Sequence, residues 1–364
     1  MAPSAKTVGS GVAGLAAALG LTRLGWDVTV VERTLAPRED GAGLTLWPNA
    51  MRALDAIGVG EDVRDIGAPV ARAVINRPSG AQLAEMPIAT LTARYGPLVA
   101  VHRGELHRTL ADQCPGMVRY GTTATVADGQ VFIGGDPPQS TVMIGADGID
   151  SAVRAAVAGE VHPRSCGQFA ARGVAHTGEA TPRVTSESWG RGLRFGLVPL
   201  RNGLTYWFAA TTTRVAAENP RETFAGWHNP IAEVLDAPQV GSTPVLPLHD
   251  LPPLHTWHDR RSTVLVGDAA HAMTPNLGQG AAQALEDVAI LLNELASAPV
   301  PDALAAYEHR RKRRAERVVA RSRIAGRLAQ AAHPAAALLR DVLARATPDR
   351  ATLRQAAAVL GPNE

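Results

Sequence analysis

Apolar and polar positions fall in blocks that predict an α/β chain ending in helices. Leu15, Ala18, Leu19, Leu21 and Leu24 recur at helical spacing, and Gly25 stops that helix. Trp26 to Val31 then predicts a strand ending at Glu32-Arg33. The apolar run before this helix, Pro3 to Val8, is weak and predicts a short or frayed first strand. A Gly-rich loop opens at Gly41, and after Pro48 a helix shows one apolar face through Ala50, Leu54 and Ile57. Val70 to Pro87 alternates with period two around the turn Arg77-Pro78-Ser79-Gly80. Val99 to Val101 leads into a helix through Leu110, and Val118 to Val142 reads as further hairpin-like strands. Thr141 to Ile144 is a strand, with a short helix starting at Ile149 to Arg154.

Beyond Cys166 the period changes. Val184 to Leu200 and Leu204 to Thr213 predict long antiparallel strands joined by Arg201-Asn202-Gly203, and helical periodicity is scarce as far as Leu248. Val264-Leu265-Val266 is a strand closed by Gly267, and Asp268 to Gly280 is a polar loop. The helix from Ala281 carries Leu285, Val288, Ala289 and Leu292. Pro301 to Leu328 and Pro334 to Leu360 predict the C-terminal helices.

Composition changes this picture little. The chain has 364 residues, 46% of them hydrophobic, which suits a large core and two domains. A formal net charge of +2 makes no strong demand for nucleic acid or membrane. The Arg-dense run His309 to Arg317 is interleaved with Glu308 and Glu316, which favours a solvated helix face over a nucleic-acid site. Cys114 and Cys166 form no metal-ligand pattern, so a reduced, cytoplasmic chain is expected. The N-terminus has no signal-peptide core, and no apolar run is long enough to span a bilayer.

Four stretches carry chemistry. Gly9, Gly11 and Gly14 have the G-x-G-x-x-G spacing that opens a helix (here at Val12-Ala13) beneath a pyrophosphate. Glu32 stands at the following strand end, where a carboxylate holds the ribose hydroxyls of an adenosine and disfavours a 2′-phosphate. Arg103 precedes a helix and is within reach of a pyrophosphate, although such an arginine is more often a surface residue. Asp147 and Asp268 follow apolar strands in equivalent Gly/Asp loops, the edge at which open α/β sheets bind ligands. Trp47 borders a flat ligand or fills the core. Alternation sets Arg194 against Phe195 and Tyr206 against Trp207 on opposite sheet faces, without saying which face lines a pocket.

Taken together, GSGVAG with Glu32-Arg33, Val101-His102-Arg103, GADGIDSAVR and GDAAHAMTPNLGQGAAQALED resemble the single-component, FAD-dependent aromatic hydroxylases of the para-hydroxybenzoate and salicylate hydroxylase type. The resemblance runs from Thr7 to about Ala325. It implies a Rossmann-like FAD-binding domain over residues 1–70, 97–163 and 254–300, a sheet-based α+β substrate domain over 71–96 and 164–253, and a helical segment over 301–364. It places Gly9, Gly11, Val12, Ala13, Gly14, Glu32, Arg33, Arg103, Asp147, Asp268, Pro275, Leu277, Gly278, Gln279, Gly280 and Ala281 around FAD, with Pro275 at the reactive edge of the flavin. It further implies that NADH or NADPH reduces the flavin, O₂ forms a C4a-hydroperoxide, and an aromatic or heterocyclic small molecule receives one oxygen atom. Arg194 and Tyr206 would then be substrate-side residues, with packing on the C-terminal helices as the alternative. His102 and His271 receive no proton-transfer role. An epoxidase or reductase of the same fold, or a redox sensor without turnover, also fits. The Trp-x-Trp-x-Ile-Pro motif of flavin halogenases is absent. An NAD-dependent dehydrogenase accounts for the glycines and Glu32 but not for the two Asp motifs. Substrate identity, choice of nicotinamide and oligomeric state stay open.

Overall fold

A computed structural model of the chain describes residues 2–37, 42–137, 139–178 and 184–361. Gly41, the expected opening of the loop before Pro48, lies outside them. The central layer is a five-stranded parallel sheet in the order Thr263–Leu265, Val142–Gly145, Ser4–Val8, Asp27–Val31, Val118–Arg119. The first strand is short, five residues, and is not frayed. Ser4–Val8 pairs along its length with Asp27–Val31 on one side and Val142–Gly145 on the other. A middle position supplies ladder bonds and burial that local propensity does not. The stretch Val118 to Val142 is only partly a hairpin, because Val118–Arg119 and Val142–Gly145 join the parallel sheet. Only Ala124–Ala127 and Gln130–Ile133 pair antiparallel there.

The helix Val12–Arg23 is buried all round from Gly14 to Leu21, not on one side only. It lies between the sheet and the helix Gly280–Ser297, so closely that a Cβ on Gly20 would fall 2.0 Å from Leu292 Cδ1. Leu24, assigned to the apolar side, is instead exposed, because it sits beyond the last turn as the C-cap.

The second sheet runs Gln239–Val240, Arg164–His176, Leu204–Thr211, Leu193–Pro199, Thr185–Trp189, Ala73–Asn76, Gln82–Met86, with Val245–Asp250 also on Arg164–His176. The expected single strand Val184 to Leu200 is two strands, broken where Gly190 N–H donates back to the Leu193 carbonyl (2.8 Å). One face stacks Phe195 on Trp207, with ring centroids 5.7 Å apart. Phe224, Ile231, Val234 and Leu235 cover these rings. The covering residues come from and around three short helices, Arg214–Glu218, Pro220–Thr223 and Ile231–Asp236. These are too short to leave a periodic signal, which explains why the sequence showed scarce helix there. The opposite face carries Arg194, Tyr206 and Phe208 and turns toward the strand Gly43–Leu46 and the Asn276 turn. The structure thereby decides which face is packed by helices.

The helix Val300–Ala329 lies along Gly280–Ser297 and is followed by Pro334–Ala346 and Asp349–Leu360. Its Arg-dense run is not uniformly solvated, which is a further correction. Arg313 and Arg317 are exposed, but Arg311 is completely buried. Leu304, Tyr307, Arg311, Ala315 and Val318 share the three-and-four spacing of the packed stripe. Among the described residues no helix is long and apolar enough to cross a membrane.

Candidate active site

The C-terminal ends of the parallel strands form one edge, and there the chain collects Gly9, Glu32, Asp147 and the pair Gly267-Asp268. Gly9 has φ +99°, and a Cβ on it would lie 2.5 Å from the Ala146 carbonyl oxygen. A Cβ on Gly14 would lie 1.9 Å from the Gly9 carbonyl oxygen. Both glycines are therefore required by the protein's own packing. Gly11 differs, because a Cβ there would meet no protein atom within 4 Å. That position is open. Val12 and Ala13 open the helix beside that space, and Ala13 Cβ lies 3.5 Å from where Gly267 would carry one. Motifs more than 250 positions apart thus meet.

Glu32 closes the glycine loop from the side. Its Oε2 accepts from Ser10 N (2.9 Å) and Ser10 Oγ (3.0 Å), and its Oε1 accepts from Thr34 N (2.9 Å). Burial raises its pKa, but these hydrogen bonds outweigh it and hold the carboxyl below the usual range. Arg33 is exposed beside it. His107 Nε2 bonds the Ser10 carbonyl (2.8 Å), which ties the helix Arg103–Asp112 to the loop.

The two aspartates that look equivalent in sequence do different things. Asp147 is committed to its own turn. Its Oδ1 accepts from Ser151 Oγ (2.6 Å), and its Oδ2 from the N–H groups of Ala152 (2.7 Å) and Val153 (3.2 Å). It secures the start of the helix Ala152–Ala158, so it shapes the edge through the backbone. Asp268 accepts no hydrogen bond from any described residue. Its side chain is exposed at the strand-end edge. Burial raises its pKa against a partial counterpull from His271 and Arg103. A carboxylate so placed is available to hydroxyl or N–H donors from a ligand.

What holds Asp268 there was not visible in the sequence. Asp287 accepts from Gly267 N (2.9 Å) and His271 Nε2 (2.5 Å) through Oδ2, and from Arg311 Nε (2.7 Å) through Oδ1. Arg311 also donates to Glu286 (2.7 Å) and to Gln283 Oε1 (2.8 Å). Burial would raise the Asp287 pKa, but His271 and Arg311 hold it below the ordinary range. His271 is therefore a structural donor, as expected. The available signal was the place of Arg311 on a buried helical stripe.

The loop after Asp268 forms a 3-10 turn, Pro275–Leu277, then Gly278 at φ +61°, then the helix from Gly280. Pro275 and Gly278 are exposed, and Leu277, Gly280 and Ala281 are half-buried. Gln279 is buried and accepts from Asn49 Nδ2 (3.0 Å). The position of a Cβ on Gly278 lies 3.1 Å from Trp47 Nε1, so Trp47 both packs on the core and borders the loop. Asn276 is the other residue missed. Its Nδ2 donates to Thr274 Oγ1 (2.8 Å) and the Ser322 carbonyl (3.0 Å), and its Oδ1 accepts from Arg194 Nη2 (2.6 Å). A Cβ on Gly326 would strike Asn276 Nδ2 at 2.1 Å. Arg194, only 2% exposed, also lies 3.5 Å from Glu187 and over the Phe208 ring. It reaches the loop from the second sheet. Tyr206 does not join it there. Its ring abuts Gly43, and burial raises its phenol pKa.

Comparison with known proteins agrees with this geometry. A family model described as an FAD binding domain matches residues 4–322. The chain is 36% identical to aurachin C monooxygenase/isomerase of Stigmatella aurantiaca, over 93% of this chain and 92% of that enzyme. It is 32% identical to 2-heptyl-3-hydroxy-4(1H)-quinolone synthase of Pseudomonas aeruginosa, over 95% and 94%. The structure of Klebsiella pneumoniae HpxO complexed with FAD and uric acid superposes with a TM-score of 0.89 at 25% identity, over 98% of this chain and 96% of that one.

The buried ion cluster yields a stability prediction. Arg311→Met leaves the buried Asp287 with only the Gly267 N–H and His271, while Glu286 keeps Arg314, and should destabilise the fold by roughly 3–5 kcal/mol in urea unfolding. Because the Asp287 pKa is depressed in the folded state, its contribution is present at neutral pH and is lost as pH falls through the folded value. In Arg311→Met that acid loss should begin at higher pH. Unchanged stability and an unchanged acid limb would refute the assignment.

Proposed function

The chain belongs to the FAD-binding-domain family, and from that premise we propose that it is an FAD-dependent monooxygenase. It consumes NADH or NADPH and O₂ and inserts one oxygen atom into a small aromatic or heteroaromatic molecule. Two features of this chain fit FAD. They are the open position at Gly11 and the exposed carboxylate of Asp268, to which no described residue donates. The second carries the reading, because a merely structural turn would satisfy its aspartate as Asp147 is satisfied.

In this reading residues 1–70, 97–163 and 254–300 form the FAD-binding domain, 71–96 and 164–253 the substrate domain, and 301–364 a helical segment. Gly9, Gly11, Val12, Ala13 and Gly14 cradle the pyrophosphate, with Arg103 as its counter-charge. Glu32 and Arg33 lie at the adenosine, where the Glu32 carboxylate is already ionised and aimed by Ser10 and Thr34. Asp147 acts by shaping the Gly148 turn, and Asp268 accepts hydrogen bonds from the cofactor's hydroxyl-bearing chain. Leu277, Gly278, Gln279, Gly280 and Ala281 present backbone N–H groups and a helix start to the electron-rich edge of the ring system.

Bound FAD supplies the chemistry: it takes a hydride from the nicotinamide, activates O₂ and delivers one oxygen atom while the other leaves as water. The chain positions and encloses. Pro275 faces the reacting ring from the exposed 3-10 turn. Arg194 sets that turn through Asn276, so it is a positioning residue here. Tyr206 contributes an apolar wall with a phenol kept neutral. Relatives named for urate and for 6-hydroxynicotinate support a flat, hydroxylated or nitrogen-containing ring as substrate. Use of a nicotinamide and the two free thiols favour the cytoplasm.

Three outcomes test this reading. The purified protein should carry FAD or take it up. It should then oxidise NADH or NADPH with oxygen uptake stimulated by a member of a panel of phenols, purines and quinolones. A protein that cannot be reconstituted with FAD refutes it, and bound FAD without stimulated uptake favours the reductase or sensor. Asp268→Asn replaces an exposed carboxylate with a neutral side chain of the same shape, so the FAD-free protein should melt at an unchanged temperature. Loss of a charged acceptor should meanwhile weaken FAD binding by roughly 10–100-fold. Equal affinity in a flavin-fluorescence titration would exclude the contact. Arg194→Ala frees the Asn276 turn, so substrate-dependent hydroxylation should fall about tenfold or more while FAD affinity holds. Unchanged product yield per NAD(P)H would exclude the positioning role.

A further inference from the structure

The helix Pro334–Ala346 is packed inside out. The face it turns to the protein is polar. Arg340 donates to the carbonyls of Gly190 (2.9 Å) and Ala329 (2.8 Å) and pairs with Asp341, which also accepts from Arg77 Nε (3.0 Å). The face it turns outward holds Leu338, Leu339, Val342 and Leu343, each 52–61% exposed. At 3.6 residues per turn these four lie within one arc of about 140°. Arg345 falls at the edge of that arc, by the same helical spacing. Folding of the chain alone would favour the opposite arrangement, so the outer face is built for contact with something else.

The surrounding charge says what. From residue 313 to 354 the exposed ionisable side chains are arginines, among them Arg327, Arg345 and Arg350, together with His333 and one exposed acid, Asp349, and the strand Gln82–Met86 against which the helix packs adds Glu85, paired with Arg72. The chain as a whole carries only +2, so this end is locally cationic. A second copy apposed about a two-fold axis would bring arginine rims face to face. Four half-exposed aliphatic side chains also fall well short of the roughly 800 Å² per partner that a stable dimer buries. A bilayer with anionic headgroups matches both features, because a short apolar face inserts at the acyl boundary while arginines meet the phosphates. We infer that the outer face of Pro334–Ala346 docks the protein reversibly on an anionic membrane surface. The inference rests on the surface alone and does not depend on the reaction proposed above.

The test is flotation of the FAD-loaded full-length protein with vesicles of phosphatidylcholine alone or with phosphatidylglycerol. Binding should appear with phosphatidylglycerol and fall as salt is raised. Leu339→Asp combined with Leu343→Asp should weaken it by roughly tenfold or more. Arg345→Glu combined with Arg350→Glu should weaken binding to phosphatidylglycerol vesicles as well. All these positions are exposed, so melting temperature and FAD content should be unchanged in the variants. Failure to bind, or binding indifferent to the apolar substitutions, overturns the inference. A dimer in light scattering that Leu343→Asp dissolves, without vesicle binding, also overturns it and assigns the face to a second copy.

Discussion

Asp287 is the point on which the site depends. Three donors converge on one buried carboxylate from the end of a strand, from the loop after it and from a C-terminal helix, namely Gly267 N–H, His271 and Arg311. Burying such charges costs several kcal/mol each and is offset only when geometry and partners are complete. The cluster consequently accepts only one arrangement of the loop. That arrangement presents Asp268 at the strand-end edge and sends the chain on to Pro275. A second clamp at Asn276 joins the same loop to the other sheet through Arg194 and to the C-terminal helix through Ser322. The loop thus borrows rigidity from elements that are far away in sequence, as a preorganised site requires.

The pair Asp147 and Asp268 shows how local environment divides labour between like residues. Both end parallel strands and both are followed by helical turns. Asp147 spends its oxygens on a nearby hydroxyl and two backbone N–H groups, and so stabilises the protein's own turn. Asp268 has no such donors among the described residues, although burial raises the pKa of both carboxyls.

Much of this was legible along the chain. The glycine spacing, the apolar strand runs and the Gly/Asp loops depend on near neighbours and on backbone sterics, and they located the sheet edge correctly. The first strand is short, as its weak apolar run suggests, and its order comes from strands on both sides, which no local pattern reports. Arg311 misled because a charge run reads as solvent-facing unless its place on a packed stripe is weighed against it. The partner carboxylates that make its burial tolerable lie about 25 residues away.

The sequence by itself determined the class of fold, the four motifs and the cofactor they suit, because close backbone approach and helix starts demand particular residues at fixed spacings. Only the tertiary structure decided which aspartate is free, which sheet face is packed and which charges are buried. Those outcomes depend on the number of donors and the amount of water left around each group once distant segments meet, and neither quantity is written in any single stretch of chain.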